Sequence, residues 1–221
     1  GVRAFGGEVR FYDRWTESRE AIGAEIAAQR GSVLVPPFDD PFVIEGQGTT
    51  ALELLDQADG TIDQLLCGAS GGGLIAGIAV AVKALRPGTR IVGVTMESGA
   101  AMIASLAAGA PVEVEETASL ADSLGGGVGL QNRVTFPICR ALLDETVLVT
   151  EAEIAGAMRH LAALGHVVEG AAAVGTAALL SGKVRAQGPA GGPVVTVLSG
   201  GNVDPALHAR VVAGANSAES A

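Results

Sequence analysis

The stretch with the most chemical potential is "CGASGGGLIAG", Cys67 to Gly77. An apolar run leads into it and an Ala-rich run leads out, so the glycines fall at a strand-to-helix junction. Backbone N–H groups of such a loop and of the first helical turn point outward without intrahelical partners. Together with the helix dipole they form an anion site. Glycines let a phosphate come close to the backbone, and Ser70 adds a hydroxyl donor. A GxxxxGK[ST] pattern is absent, which argues against P-loop triphosphate chemistry. A GxGxxA reading through Gly71, Gly73 and Ala76 exists. However, Glu97, the acid that would serve a ribose, comes late after the next strand.

Further polar residues fall at ends of apolar runs. Ser199 in "LSGGN" closes the last such run, where the carboxyl end of a parallel strand faces a ligand crevice. Its hydroxyl suits a ring nitrogen or another polar edge. Glu169 immediately precedes a helix, where the dipole favours a carboxylate. "DSLGGGVG", Asp122 to Gly129, reads either as a third backbone wall of the same crevice or as a plain loop. His160, His166 and His208 have no partners at ligand spacing and read as helix-surface or helix-end residues. Cys67 and Cys139 stand alone and read as buried thiols rather than as a disulfide framework or a zinc site.

The elements that must position these residues follow from hydrophobic pattern. Strands are expected at "EVRFYD", "SVLVPPF", "IDQLLCGA", "RIVGVTME", "ETVLVT" and "PVVTVLSGGN". Helices are expected after Thr16 as N-cap, with Ile22 and Ile26 on one face and Gly31 as stop, and from near Gly48. Others are expected over Gly73–Leu85, in "AAMIASLAAG", over Asn132–Leu143, behind a Thr150–Glu153 capping box, and in "EGAAAVGTAALLSG". The tail after Ala213 is expected to fray. Alternating helices and continuous apolar strands predict an α/β protein with an open, mostly parallel sheet and helices on both faces. A break falls near Pro36 to Pro41. Residues 1–36 read as a remnant of a smaller domain and 37–221 as the large, ligand-binding one.

Composition narrows the partners. The net charge of −10, with no Lys/Arg cluster, argues against nucleic acid or an anionic membrane surface. No apolar run is long enough to span a bilayer. The chain is expected to be cytoplasmic and to be a piece of a longer protein.

"PFDDPFVIEGQGTTALELL", "SGGGLIAGIAVAVKALRPGTRIVGV", "VVEGAAAVGTAALLSGK" and "VLSGGNVD", in this order, resemble the serine/threonine dehydratases. These belong to fold-type II of the pyridoxal-phosphate enzymes, the tryptophan-synthase-β-like fold. The resemblance implies pyridoxal 5'-phosphate as cofactor. It puts Ser70, Gly71, Gly72, Gly73 and Leu74 around the phosphate, Ser199 at the pyridine nitrogen, and Glu169 near the cofactor. It implies a lyase that removes the β-hydroxyl of an amino acid to give a keto acid and ammonia, and a homodimer at full length. The family's Ser-x-Lys-x-Arg-Gly motif with the Schiff-base lysine has no match here. Lys83 and Lys183 fall on helices of other segments, so the chain resembles the C-terminal two-thirds of such an enzyme and is expected to be inactive alone. "ADSLGGGVGLQNRVTF" is closer to the hydroxyectoine-utilisation branch. Glu97 matches a cation ligand of some relatives, but Ile103 stands where a second acid is expected, so no tight metal site is expected. Two other readings stay open. One is a β-replacement enzyme of the same fold, and the other is a non-catalytic module binding a phosphate ligand.

Overall fold

In the computed structural model, residues 2–13, 16–58 and 62–219 are described. The chain divides into two units, Gly1–Pro36 and Pro37–Ala221.

The first unit carries a short 3-10 turn, Val2–Phe5, and one helix, α1 (Arg19–Arg30). Ser18, not Thr16, caps it, accepting the Ala21 N–H at 3.2 Å. Gly31 closes it at φ 63°, in the left-handed region. "EVRFYD" and "SVLVPPF" do not form the expected strands. A strand exists only through its neighbour's hydrogen bonds, and neither segment has a pairing partner among the described residues. Val33 and Val35, 89% and 71% exposed, show that apolar content alone did not bury this segment.

The second unit contains α2 (Pro41–Gln57), β1 (Gln64–Gly68), α3 (Gly73–Leu85), β2 (Arg90–Met96), α4 (Ala101–Ala108), α5 (Thr135–Leu142), β3 (Glu145–Val149), α6 (Glu151–Ala163), α7 (Gly170–Leu180), β4 (Val194–Thr196) and α8 (Pro205–Val212). The four strands make one parallel sheet in the order β3-β2-β1-β4. The chain therefore steps from β1 outward through β2 to β3, then returns to lay β4 on the other side of β1. That reversal sits between β1 and β4.

Side chains alternate across the sheet as strand geometry requires. Leu65, Cys67 and Ile91 enter one core with α2, α3, α4 and α5. Leu66, Val92, Val94, Val147 and Val149 enter the other with α6 and α7. Leu65, Leu66 and Ile91 are fully buried, each contributing about 1.5–3 kcal/mol. On α7, Gly170 to Ala178 are buried without a break. Its small residues let it lie deep, with Gly175 against Thr196 and Leu66.

Several boundaries move from those expected. α2 begins at Pro41, well before Gly48, because the Asp40 carboxylate accepts the N–H groups of Phe42 (2.9 Å) and Val43 (3.1 Å) while proline fills the first turn. α5 starts at Thr135 rather than Asn132. α8 precedes the tail, which carries no helix or strand among its described residues, yet the tail is tied down: the Arg159 guanidinium donates to the carbonyls of Val211 (3.2 Å) and Ala215 (2.9 Å) and to Asn216 Oδ1 (3.0 Å). The last part of that expectation, Ser220 and Ala221, lies outside the described residues. His208, on α8, is half-buried rather than on the helix surface, and its Nε2 is buried with no hydrogen-bond partner among the described residues.

α2 and α3 cross backbone to backbone. A β-carbon on Gly77 would strike the Ile44 carbonyl and come within 2.7 Å of the Gly48 nitrogen. Gly77→Ala is expected to lower stability by about 1–3 kcal/mol in urea denaturation, because backbone cannot step aside as a side chain can. The capping box of α6 is fully formed, with Thr150 Oγ1 accepting from Glu153 N at 3.1 Å and Glu153 Oε2 from Thr150 N at 2.7 Å. Burial opposes ionisation of Glu153, but the Lys183 ammonium, 2.7 Å away, and the Thr150 N–H outweigh it and hold the carboxyl below its usual range. A pKa lowered on folding adds stability above the unfolded carboxylate's pKa. That stability is lost as pH falls through the lowered value. Wild type should therefore exceed Glu153→Gln by up to about 1 kcal/mol at pH 7, with the gap closing in urea melts at progressively more acidic pH.

Candidate functional site

In an open parallel sheet the ligand crevice lies beyond the carboxyl ends of the strands where the strand order reverses. Here that is the junction of β1 and β4. The glycine loop follows β1 directly. Ala69 still holds the sheet through its N–H to the Val94 carbonyl at 2.9 Å, and the chain then turns through Ser70, Gly71 and Gly72 into α3. Gly72 has φ 93°, a conformation that side chains disfavour, and no side chain caps the helix behind it. The first-turn N–H groups of α3 are thus left to whatever occupies the crevice.

The loop is backed by side chains that pattern reading did not single out. A β-carbon on Gly71 would run into the Phe38 ring, and one on Gly73 would lie 3.1 Å from the Phe38 Cα. One on Gly72 would lie 2.8 Å from Met102 Cε and 3.0 Å from Thr135 Cβ. The glycines let the loop lie flat on this wall, with its backbone facing the other way. Asp39 anchors the wall, its carboxylate accepting the N–H groups of Arg133 (2.9 Å), Val134 (2.8 Å) and Thr135 (3.0 Å) at the start of α5. Thr135 Oγ1 then donates to the Gly71 carbonyl at 2.7 Å. A carboxylate lying more than ninety residues before the helix it caps has no local signature in the sequence.

The other expected residues converge on the same edge. Past β4, Val197 N–H reaches the Leu66 carbonyl at 3.0 Å, and Ser199 follows, exposed to solvent. Glu169 is the residue before α7. Its N–H donates to the Gly200 carbonyl at 3.2 Å, and a β-carbon on Gly200 would be 2.5 Å from its Oε1. Ser123 Oγ donates to the same Oε1 at 3.2 Å. Of "DSLGGGVG", Ser123 and Leu124 reach this edge. The residues just before that segment are held by Glu151, which accepts from Ser119 Oγ (2.5 Å) and Leu120 N (2.8 Å). Leu124 packs beside Gly68 at the end of β1.

Other groups lie apart. Lys83, on α3 but about 15 Å along the helix from Gly73, binds Asp144 Oδ2 (2.7 Å) and the Thr89 carbonyl (2.8 Å). Lys183 binds Glu153 Oε2 (2.7 Å) and the Leu148 carbonyl (3.0 Å). A cavity of about 500 Å³ opens at the amino ends of the strands, lined by Gln64, Arg90, Glu145, Lys183 and Arg185 among others. Its polar walls are already partly neutralised by the Arg90–Glu145 pair at 2.7 Å. Glu97 is exposed beyond β2. Among the described residues no group of three or more His, Cys, Asp or Glu is gathered. No helix among them is long and apolar enough to cross a membrane.

The chain matches the family described as "Pyridoxal-phosphate dependent enzyme" over residues 1–200. It is 51% identical over 216 residues to a putative threonine dehydratase of Sinorhizobium fredii, covering 96% of this chain and 63% of the relative. To an L-threo-3-hydroxyaspartate ammonia-lyase of a Pseudomonas species it is 38% identical, covering 96% of this chain and 65% of the relative. Among solved structures, maize serine racemase superposes with a TM-score of 0.84 at 34% identity, over 93% of this chain and 62% of the other. The chain belongs to the pyridoxal-phosphate dependent enzymes of fold-type II, with threonine and serine dehydratase-like relatives. It spans somewhat under two thirds of the length of the curated relatives named here.

Cys67, at the end of β1, and Cys139, against Gly72, have no exposed surface. Burial pushes both thiols up to about 12, and their mutual proximity adds to the effect on Cys67. Neither thiol should react with a disulfide reagent at pH 8 in the folded protein, and both should titrate in full once denaturant is added. Prompt labelling of the native chain would contradict this burial.

Proposed function

We propose that Ser70, Gly71, Gly72, Gly73 and Leu74 grip the phosphate of pyridoxal 5'-phosphate, that Ser199 faces its pyridine nitrogen, and that Glu169 borders the same pocket. The observation that carries this reading is the meeting of an uncapped helix start, behind the glycine loop, with the Ser199–Gly200 turn at the β1/β4 reversal. The residues present suit the group. The loop offers backbone donors to a dianion, and the loop after β4 offers a neutral hydroxyl to a ring nitrogen.

When bound, the cofactor supplies the electron sink that loosens the Cα–H bond of an amino acid. The chain's own contribution is binding and orientation. The helix dipole and loop amides fix one end of the ring system, and Ser199 meets the other. A serine hydroxyl shares a proton with the ring nitrogen without holding it as a full cation, which suits departure of a β-leaving group. Glu169 keeps its carboxylate beside Gly200 through the Gly200 carbonyl and Ser123 contacts. Lys83 and Lys183 are both engaged in ion pairs away from the loop, so this chain supplies the grip and not the covalent anchor, and is inactive alone.

The whole enzyme is read as an ammonia-lyase that converts a β-hydroxy amino acid, or a hydroxyectoine-derived compound, to a keto acid and ammonia. The names of the relatives, threonine dehydratase and L-threo-3-hydroxyaspartate ammonia-lyase, support the hydroxy amino acid. The variant "ADSLGGGVG" supports the hydroxyectoine branch. Residues 1–36 are read as part of a smaller domain, residues 37–221 as the cofactor domain, and the full-length protein as a homodimer.

The test is an absorbance titration of the chain with pyridoxal 5'-phosphate and, separately, with pyridoxal, followed by borohydride reduction and peptide mapping. Saturable binding that favours the phosphorylated form by at least tenfold, with no stoichiometric adduct on Lys83 or Lys183, is expected. Equal affinity for the two forms would refute the phosphate assignment. A stoichiometric lysine adduct would refute the account of the anchor.

A further inference from the structure

Resting on that cofactor reading, we propose that Thr135 is a positioning residue for the phosphate loop. Its hydroxyl sets the direction of the Gly71–Gly72 peptide and thereby aims the Gly72 N–H at the ligand.

The direction of each hydrogen bond is fixed by the next. Asn132 Oδ1 accepts the Phe136 N–H at 2.8 Å, so its Nδ2 must be the donor facing the other way. That Nδ2 donates to the Val128 carbonyl at 2.9 Å and to Thr135 Oγ1 at 2.6 Å. Thr135 Oγ1, accepting there, directs its single proton to the Gly71 carbonyl at 2.7 Å. The residue is fully buried, and its backbone N–H is held by Asp39 at 3.0 Å. Neither the main chain nor the side chain has room to swing.

The geometry of the peptide unit supplies the rest. In a planar trans peptide the C=O of one residue and the N–H of the next point in opposite directions. A Gly71 carbonyl drawn toward α5 therefore turns the Gly72 N–H away from α5, out of the wall that Phe38, Met102 and Thr135 form. Glycine at position 72, with φ 93°, has little intrinsic preference between the two peptide orientations. The loop needs an external constraint to keep its donor outward before a ligand arrives, and Thr135 is that constraint. Thr135 opens α5, so its helix offers no carbonyl of a preceding turn to its hydroxyl. The hydroxyl reaches across to the loop instead.

Two side-chain changes separate the roles. Thr135→Val keeps the shape and removes the hydroxyl, and Thr135→Ser keeps the hydroxyl. Dissociation constants for pyridoxal 5'-phosphate and for pyridoxal are measured for each, alongside a circular dichroism melt. Thr135→Val is expected to weaken the phosphorylated ligand about tenfold, to leave pyridoxal unchanged, and to be rescued to within about twofold by serine. If valine weakens both ligands equally, or neither, Thr135 is only a core residue and the proposal fails. Should the valine protein not fold, Asn132→Ala, which frees the Thr135 hydroxyl without deleting it, must still lower the ratio of the two affinities. An unchanged ratio would overturn the proposal. Failure of the underlying cofactor reading looks different, since wild type would then itself bind pyridoxal as tightly as its phosphate.

Discussion

Close approach at glycine, to backbone or to side chain, is the constraint from which the rest of the second unit follows. α3 meets α2 through Gly77 and Gly48. α7 lies on the sheet through a face of alanine and glycine, with Gly175 on Thr196. The glycine loop lies flat on Phe38. At each contact an added methyl would meet an atom already in place. The same smallness that brings the layers together leaves few side chains at the carboxyl edge, so polar groups of the backbone become its chemistry. Scarcity of aromatic residues and abundance of glycine are thus one property seen from two sides.

The order β3-β2-β1-β4 decides where that chemistry is gathered. Had β4 been laid beside β3, two strands would separate the segment carrying Ser199 from the glycine loop. Two carboxylates keep the strands in this register from the opposite edge. Asp63 accepts the N–H groups of Ala190 (2.9 Å) and Gly192 (2.7 Å), leading β4 in beside β1. Asp144 accepts the Ile91 N–H (2.7 Å), tying β3 to β2. The amino edge sets register, and the carboxyl edge gathers the glycine loop, Glu169 and Ser199.

Much of this was legible in the sequence where local rules govern. The boundaries of α3 follow from a strand, a glycine loop and a terminal Pro-Gly. The capping box of α6 follows from Thr150 and Glu153, and β1, β2 and β3 from continuous apolar runs. The missed strands share a cause, which is dependence on distant partners. "EVRFYD" and "SVLVPPF" have strand-like composition, but pairing is a property of two segments. The start of α2 was masked by a proline that breaks helices elsewhere and opens this one. Ser70 to Leu74, Glu169 and Ser199 could be picked out as single residues, and their meeting at one edge required the sheet order. Asp39 and Thr135 carried no motif at all, because their meaning lies in contacts spanning more than sixty residues.

The two sealed thiols have a consequence for selectivity. An aldehyde cofactor is an electrophile, and it condenses with whatever soft or amine nucleophile stands within reach. Cys67 lies just before the loop and Cys139 just behind it, yet both are packed away as neutral, apolar groups. The two lysines are spoken for by carboxylates elsewhere. On the cofactor reading proposed above, these four groups would therefore offer the carbonyl carbon no competing bond.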